Sequence, residues 1–593
     1  MRYATKSLAV FKNYGIIAIT LLISWIFSKG TDSLLHSSLV HHGEHLETVG
    51  IIVDIVVVFA LGFIAYETAK PTVIPSFVIA IFFGFVSKDL LELVTSNQAA
   101  LSILTTIGAT LILFGGGLET PFTRFKQLIG PILSLAFLGT IITAILFSGV
   151  LDTINKGFNL SIPLAAIILL GTALASTDPA AIIPSFKSLL FHKPRVKYIA
   201  ISESALNDVV GALITSVFLG LFLGSFQPDS ILSAYSNLFS LDIFLEILKS
   251  VGIGAAAGYT GYLILKAWDK WKQKIDTEGE ADAALFLAIP LFTFALASTF
   301  GGNGYLGVFV TGLIFQLRSH VKHVEHFFNH TIEGFMKPLI FMLLGTLVNF
   351  ESLAQYALPG LIIGILFILV LRPICIFLTL SPFVFFGKQK FSLQELLFLS
   401  FVRETGVIPA VLLVSIKVAG IPGSDAALAI GMWVILLTLI LLPPFTPAVA
   451  KLLKIADDMP AFPVSKQTGP VAVLCSRSYT FLERIEQVVE WCEKHHIENI
   501  MLLHCPEERY SDKFLKEVEE VAAVRFNSIN ERQTTENKHP INFSFLGFPG
   551  KLEDNIEKLV KDNKISIVFV GSRMLDYRLE KVKMLKVPFI FMN

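Results

Sequence analysis

The sequence predicts a membrane protein built from many α-helices and joined to a smaller α/β domain at its C-terminal end. Three observations predict this fold class. The chain is 53% hydrophobic and only 16% charged, whereas soluble domains carry about 25% charged residues. Apolar runs long enough to cross a bilayer recur as far as about residue 446. Beyond residue 467, short apolar runs alternate with amphipathic stretches, which is typical of a parallel sheet covered by helices.

Charge and cysteine usage exclude several classes of function. Lys plus Arg and Asp plus Glu both number 47, so no excess of positive charge favours nucleic acid as a partner. The cysteines lack the spacing of a metal site and are typical of reduced thiols. No nucleophile–base pair or phosphate loop is recognisable, so we expect neither an enzyme nor a cofactor. The four cysteines are Cys375, Cys475, Cys492 and Cys505.

The apolar runs predict about fourteen membrane-spanning helices, since a span needs about 20 mainly apolar residues. The first run resembles a signal peptide but lacks an evident cleavage site, so we interpret it as an uncleaved helix. The predicted helices centre near residues 18, 58, 80, 108, 139, 174, 212, 256, 290, 310, 341, 369, 406 and 435.

Basic residues accumulate in alternate loops, which predicts the orientation because Lys and Arg favour the cytoplasmic side. The intervening loops contain little beyond Lys88 and Lys156. Both termini are therefore predicted to be cytoplasmic in a multi-pass protein of the inner (plasma) membrane. The basic loops contain Lys70; Arg124 and Lys126; Lys187, Lys193, Arg195 and Lys197; Lys270, Lys272 and Lys274; Arg318 and Lys322; and Lys388 and Lys390.

Four segments follow from this pattern. Residues 1–49 hold an extra N-terminal helix and an external loop, 50–450 the membrane domain, 451–466 a linker and 467–593 the cytoplasmic α/β domain. In that last domain, apolar runs predict strands and amphipathic runs predict helices, with a loop at Asn527–Pro540. The predicted strands are Val471–Cys475, Ile500–His504, Ile565–Val570 and Pro588–Met592, and the predicted helices are Phe481–Lys494, Ser511–Val521 and Leu552–Asp562.

Ionisable residues inside the apolar runs are the candidate functional residues, because each costs roughly 2.5–3.5 kcal/mol to insert. Thr177-Asp178-Pro179 stands in the middle of one span. Proline has no N–H and clashes with the preceding turn, so the helix is predicted to break there. A broken helix exposes carbonyl groups and half-helix ends, which can hold an ion.

The next span carries Glu203, Ser204, Asn207 and Asp208. Residues four apart share a helix face, so Glu203 is expected beside Asn207, and Ser204 beside Asp208. Such oxygen ligands suit Na⁺ or Li⁺. Burial disfavours the ionised form of an acid, so a carboxyl group here can exchange a proton for a cation.

Two arginines lie in later apolar runs. Arg372 precedes a proline, and Arg403 is followed by Glu404, Gly406 and Pro409. Gly406 and Pro409 predict that this helix is broken as well. One broken helix in each half of the membrane domain indicates inverted repeats with a site between them.

In order and spacing, these motifs resemble the monovalent cation:proton antiporters, and specifically the Na⁺/H⁺ exchanger branch. Gly117-Leu118-Glu119 also resembles a family signature. The resemblance covers about residues 50 to 446. It implies an all-α antiporter fold with inverted repeats and two discontinuous helices, divided into a core and a dimerisation domain, and hence a homodimer.

The resemblance also implies roles for individual residues. Asp208 would exchange the proton and the cation, while Ser204, Asp178 and the carbonyl of Thr177 would complete the coordination. Asn207 would support the crossing of the broken helices and marks the branch regarded as electroneutral. Glu203 would pair with Arg372, and Arg403 and Glu119 would match further family positions. Glu404 departs from the family pattern of Leu-Arg-Gly.

We therefore expect Na⁺(Li⁺)/H⁺ antiport by alternating access. Two alternatives stay open, namely K⁺/H⁺ exchange and an ion-sensing receptor or channel with a regulatory tail. The tail resembles the universal stress protein domain. Its phosphate-binding pattern is incomplete, since Gly571-Ser572-Arg573-Met574 lacks a second glycine. This argues against nucleotide binding and favours a regulatory or dimer-stabilising role.

Overall fold

A computed structural model describes most of the membrane domain and the strands of the C-terminal domain. The described residues of the first part are 14–25, 44–69, 75–120, 122–178, 182–183, 185–186, 189–224, 226–275, 282–315, 332–385 and 390–458. Those of the second part are 471–475, 488–489, 491–492, 499–504, 523, 542–547, 567–571 and 589–592.

The first part is helical almost throughout. Its helices are α1 (Tyr14–Trp25), α2 (Glu44–Ala69), α3 (Ser76–Val86), α4 (Glu92–Ser96), α5 (Gln98–Glu119), α6 (Phe122–Gln127), α7 (Ile129–Phe158), α8 (Leu164–Ala173), α9 (Arg195–Leu223), α10 (Ile231–Asn237), α11 (Leu241–Ile275), α12 (Asp282–Thr299), α13 (Gly304–Ile314), α14 (Lys337–Leu347), α15 (Phe350–Gln355), α16 (Ala357–Val384), α17 (Leu393–Phe401), α18 (Val407–Val418) and α19 (Ser424–Leu452).

The predicted span centres agree with these helices. Each centre falls within a helix, except those near residues 174 and 406, which fall where a helix is interrupted. Among the described residues, five helices are long and apolar enough to cross a membrane by length and composition: α5, α7, α9, α16 and α19. Shorter apolar helices accompany them, including α3, α8, α13, α14 and α18. The prediction of a multi-helix membrane fold is therefore confirmed.

Local capping explains where several helices begin. The side chain of Asn97 accepts a hydrogen bond from the N–H of Ala100, and that of Asn303 from the N–H of Leu306. At the start of α17, Ser392 and Glu395 form a reciprocal capping box. Such caps satisfy backbone N–H groups that have no partner inside the helix.

Two matching helix contacts reveal the internal repeat. α3 packs on α14, where a Cβ atom at Gly84 would overlap the carbonyl oxygen of Met342, and one at Gly345 would overlap that of Ile81. α5 packs on α13 in the same way, because a Cβ at Gly117 would meet the carbonyl of Phe309, and one at Gly312 that of Phe114.

The spacing of these glycines is the same in both halves of the chain. The sequence separation between Gly84 and Gly312 equals that between Gly117 and Gly345. Helix α3 of the first repeat therefore corresponds to α13 of the second, and α5 corresponds to α14. Two long helices, α7 and α16, also correspond, since each contains a π-helical segment, at Ser134–Gly139 and at Phe367–Leu371. The predicted inverted repeats are therefore present in the fold.

The chain divides into two compact units: the first comprises Met1–Gln316 and His323–Met459, and the second comprises Leu317–Lys322 and Pro460–Asn593. The second unit contains a five-stranded parallel sheet. Two short strands of the first unit, β1 (Leu189–Phe191) and β2 (Ala456–Asp458), pair with one another. The sheet of the second unit has the order β5-β4-β3-β6-β7. Its strands are β3 (Val471–Cys475), β4 (Asn499–His504), β5 (Asn542–Gly547), β6 (Ile567–Gly571) and β7 (Phe589–Met592).

The sequence interpretation of this unit was largely right about strands. All four predicted strands are present within two residues of the predicted bounds, and β5 was missed because it follows the polar stretch that was interpreted as a loop. Residues 488–489 and 491–492 are helical, as predicted for Phe481–Lys494. The predicted helices Ser511–Val521 and Leu552–Asp562 and the predicted loop Asn527–Pro540 lie outside the described residues.

Replacing Gly84 by alanine should destabilise the protein, because the added methyl group overlaps the backbone of α14. Overpacking of this kind typically costs about 1–3 kcal/mol. The measurement is the thermal unfolding midpoint of the purified protein in detergent.

Gly149→Ala provides the matched control. Gly149 lies in α7 with no heavy atom near its Cβ position, so alanine there should leave the midpoint unchanged or raise it slightly. Equal behaviour of the two variants would contradict the proposed close contact.

Candidate functional site

Two helices are interrupted at the centre of the first unit. α8 ends at Ala173, and residues 176–178 are not helical. α17 ends at Phe401, and residues 402–406 are not helical before α18 begins at Val407. The first break follows from the sequence, since the residue before a proline avoids the helical region. The two interruptions are the ones predicted from Pro179 and from Gly406 with Pro409.

The two unwound segments contact each other directly. The backbone N–H of Asp178 donates a hydrogen bond of 2.8 Å to the carbonyl oxygen of Glu404. A Cβ atom at Gly406 would overlap the side chain of Asp178, so only glycine permits this approach. We call this contact the crossing, and define it by residues 174–178 and 402–407.

Each broken helix supplies a charge for the end of the other. The Oδ2 atom of Asp178 accepts a hydrogen bond of 3.4 Å from the N–H of Val407, the first residue of α18. Arg403 donates to the carbonyls of Leu174 at 3.1 Å and Ala175 at 2.8 Å, just beyond the end of α8. An acid therefore faces a positive helix start and a base faces a negative helix end, which stabilises both half-helices.

A ladder of polar groups on α9 continues the crossing. The Oδ1 atom of Asn207 accepts a hydrogen bond of 3.0 Å from the backbone N–H of Thr177. The hydroxyl of Thr177 lies 2.8 Å from the Oγ atom of Ser204 and accepts a bond of 2.9 Å from the amide Nδ2 of Asn207. Thr177, Ser204 and Asn207 are all fully buried. The first unwound segment is thus bonded to the same face of α9 that the sequence marked as polar.

Beside this ladder, Glu203 forms a buried ion pair with Arg372 of α16. The two nitrogen–oxygen distances are 3.2 and 3.1 Å, and both side chains are nearly inaccessible. The amide of Asn207 donates a further hydrogen bond of 2.9 Å to Glu203. The carboxylate of Glu203 is therefore already compensated by its neighbours.

Asp208 differs from Glu203 in this respect. Its side chain is 3% exposed, and its Oδ1 atom has no hydrogen-bond partner among the described residues. The hydroxyl of Ser176 interacts with the carboxylate, and the charges of Asp178, Glu203 and Lys337 act on it. A buried carboxyl group with an oxygen that accepts no hydrogen bond is costly unless something neutralises it.

The chain matches a protein-family model over residues 55–452, and that model describes the transmembrane part of sodium/hydrogen exchangers. This chain belongs to the sodium/hydrogen exchanger family. Members of this family are transporters, and the match places this chain among multi-pass membrane proteins.

Named relatives resemble the exchanger at modest identity. The K(+)/H(+) antiporter NhaP2 of Shewanella baltica is 25% identical over 396 residues, which are 66% of this chain and 64% of the relative. The chain thus spans less than two thirds of that relative. The probable Na(+)/H(+) antiporter 2 of Methanocaldococcus jannaschii is 27% identical over 366 residues, which are 60% of this chain and 82% of the relative.

A solved structure shares the fold of the exchanger. The sodium proton antiporter MjNhaP1 from Methanocaldococcus jannaschii superposes with a TM-score of 0.53 at 24% identity, covering 66% of this chain and 98% of that one. The likeness shows that the helical part has the antiporter fold.

The candidate residues are not all placed together. Asp178, Thr177, Ser204, Asn207, Asp208, Glu203, Arg372 and Arg403 meet at the crossing. Glu119 lies instead at the last position of α5 and is half-buried. In its sequence motif, Gly117 has a packing role against α13.

The sequence interpretation missed two groups of residues. Lys337, the first residue of α14, is 7% exposed, and its position in an apolar run was the signal that could have revealed it. On α19, the hydroxyl of Thr438 accepts from the N–H of Thr405 at 3.2 Å, and the hydroxyl of Thr446 lies 3.5 Å from Glu404. Single threonines in an apolar helix carry no such signal, because they are common there for packing.

The ionisable groups around the crossing are unequal in number. The described residues provide four acids and three bases there, so one negative charge is left over when all of them are ionised. A single proton or a single monovalent cation restores neutrality. The acids are Asp178, Glu203, Asp208 and Glu404, and the bases are Lys337, Arg372 and Arg403.

Replacing Arg372 alone by glutamine should lower stability by about 3–5 kcal/mol, because it leaves the charge of Glu203 buried without its partner. The double variant Glu203→Gln/Arg372→Gln should recover more than half of that loss, since two amides can still bond to each other. Thermal unfolding of the purified variants in detergent measures both effects. Equal stability of the single variant and the unaltered protein would refute the structural pairing.

Proposed function

We propose that this exchanger moves a monovalent cation, Na⁺ or Li⁺, across the membrane in exchange for H⁺. The observation that supports the proposal most strongly is the carboxyl group of Asp208. It is buried beside the crossing, and one of its oxygens has no hydrogen-bond partner among the described residues. Such a group is stable only when a proton or a cation neutralises it, and the two therefore compete for one site.

The neighbours of Asp208 suit a hard monovalent cation. Asp178, Ser204 and the carbonyl of Thr177 offer oxygen atoms at the crossing, and oxygen ligands favour ions of this kind. We propose these residues as the coordination shell, supported by Asn207. The surplus of one acid over the bases also favours one proton or one cation at a time, which is consistent with an electroneutral cycle.

The other charged residues have supporting roles in this proposal. Arg403 and Asp178 stabilise the half-helix ends, so the unwound segments can persist inside the membrane. Glu203 and Arg372 neutralise each other next to Asp208. Alternating access would then move the crossing between the two sides. Following the family resemblance, we also propose a homodimer with both termini in the cytoplasm.

Exchange of K⁺ for H⁺ is a second candidate. Relatives from Shewanella baltica and from Alkalimonas amylolytica are named K(+)/H(+) antiporters, whereas the Methanocaldococcus jannaschii relative is named a probable Na(+)/H(+) antiporter. The ligand type does not distinguish Na⁺ from K⁺, because both ions bind oxygen atoms. A channel or an ion-sensing receptor is less well supported, because two broken helices around one buried acid are typical of transporters.

We propose a universal-stress-protein-like domain from about residue 467 onward. Its sheet runs β5-β4-β3-β6-β7, and in chain order this is the 3-2-1-4-5 arrangement of doubly wound α/β domains. The sequence after β6 lacks the second glycine of a phosphate-binding pattern. We therefore propose a regulatory role for this domain and expect no nucleotide at it.

Asp208→Asn should abolish cation-induced proton movement, because an amide cannot alternate between a proton and a cation. The measurement uses proteoliposomes that contain a pH-sensitive dye. Asp242→Asn, which removes an exposed acid at the start of α11, should retain exchange. Exchange at the full rate in Asp208→Asn, with normal insertion of the variant, would disprove the proposal.

The same proteoliposomes decide between the cations. We expect half-saturation at lower concentrations of Na⁺ and Li⁺ than of K⁺, because small cations are held more tightly by carboxylate and hydroxyl oxygens. The readout is the initial rate of proton movement over a concentration series of each chloride salt. Half-saturation by K⁺ at the lowest concentration would favour the second candidate instead.

A further inference from the structure

Three helices of the exchanger are joined at one end by a network that lies outside the crossing. At this end, which the sequence predicts to be cytoplasmic, α9 and α17 begin and α19 ends. We call the network the clasp. It consists of Phe186, β1, His192, Arg195, Glu395, Phe398 and β2.

An ion pair forms the first part of the clasp. Arg195, the first residue of α9, donates two hydrogen bonds of 2.7 Å to the carboxylate of Glu395 in α17. Glu395 is fully buried and also accepts a bond of 2.7 Å from the N–H of Ser392. The guanidinium of Arg195 lies 4.7 Å from the ring centroid of Phe391. The helix that carries Asp208 is thus fixed to the helix that leads into the second interruption.

The β1–β2 ribbon forms the second part. The two strands are antiparallel, with Leu189, Leu190 and Phe191 opposite Asp458, Asp457 and Ala456. The N–H of His192 donates a bond of 2.9 Å to the carbonyl of Ile455, and its Nε2 atom lies 3.1 Å from Asp457.

Aromatic rings connect the ribbon to α17. The ring of Phe191 lies 5.0 Å from that of Phe186 and 5.9 Å from that of Phe398. Ser185, next to Phe186, donates a bond of 3.1 Å to the carbonyl of Pro443 in α19. The ribbon therefore contacts the chain between the first interruption and α9 as well as the helix before the second interruption.

The ribbon is suited to a switch because it is short. Two strands of three residues are marginally stable on their own, and elements of low stability are the ones that open first. Moreover, β2 ends at Asp458, and the main part of the second compact unit, Pro460–Asn593, follows shortly after it in the chain. A pull from these C-terminal residues along the chain acts first on β2.

We propose that the β1–β2 ribbon is the element through which the C-terminal unit regulates ion exchange. With the ribbon paired, the clasp holds α9 against α17, and the carboxyl group of Asp208 stays next to the crossing. In the unaltered chain the C-terminal unit draws β2 away from β1 for most of the time, which loosens the clasp and lowers the affinity for the cation. This inference rests on the proposed exchange function.

The test compares two changes in the full-length chain, in a background whose four native cysteines are replaced. The first is the pair Leu190→Cys/Asp457→Cys, whose positions are opposite each other in the register, so that an oxidant locks the ribbon. The second is a flexible insertion of about 12 Gly and Ser residues between Met459 and Pro460, which transmits almost no tension. The readout is the Na⁺ concentration that half-saturates proton movement in proteoliposomes.

Both changes should lower the half-saturating Na⁺ concentration by the same factor, about fivefold or more if the coupling is of ordinary allosteric size. The oxidised pair and the insertion together should have no larger effect than either alone, and a reductant should remove the effect of the pair only. The single variant Asp457→Cys is the control for loss of the aspartate side chain. Because it lacks the second cysteine, the oxidant should not change its half-saturating Na⁺ concentration.

Three results would overturn the inference. The first is an unchanged half-saturating Na⁺ concentration with the insertion, and the second is an unchanged value with the locked ribbon. The third is a combined variant whose fold-change equals the product of the two single fold-changes, because the two changes would then act independently. Failure of the exchange function itself is distinct, because the unaltered chain would then show no cation-induced proton movement at all.

Discussion

The hydrogen bond from the N–H of Asp178 to the carbonyl of Glu404 is the contact on which the rest of the structure depends. It joins two unwound segments inside a helical membrane protein, where unpaired backbone groups are costly. The segments persist because each one supplies a charge to the helix end of the other, through Arg403 and Asp178. Asp208 lies beside this contact, so the proposed ion site shares its side chains with the arrangement that stabilises the crossing.

The internal repeat explains how a single chain builds such a crossing. Thr177 precedes Thr405 by the same number of positions that separates the paired glycines of the two halves. The backbone N–H of each threonine donates to a side chain on the long helix that follows, Asn207 on α9 and Thr438 on α19. The repeats share this backbone support but differ in charge. At the same spacing, Asp178 corresponds to Gly406 and Asp208 to Leu436 in the second half, whereas Glu404 corresponds to Ser176 in the first half.

Burial and pairing separate the roles of the acids at the crossing. Glu203 is compensated by Arg372 and Asn207, which agrees with the structural role proposed for it. Glu404 is buried against Thr446 and has one carboxyl oxygen without a partner among the described residues. Glu404, at which the sequence departs from the pattern that it otherwise resembles, is the fourth acid at the crossing.

The sequence by itself determined the helices, the two interruptions, the polar face of α9 and the strands of the C-terminal sheet other than β5. These features follow from local rules, namely apolar length, proline geometry and residue spacing along a helix. Only the tertiary structure decided that Asp178 accepts a hydrogen bond from the start of α18, that the charge of Lys337 acts on Asp208, and that Glu395 joins α17 to α9. These pairings join residues that are far apart in the sequence. They depend on how the helices pack against one another, which local sequence rules do not specify.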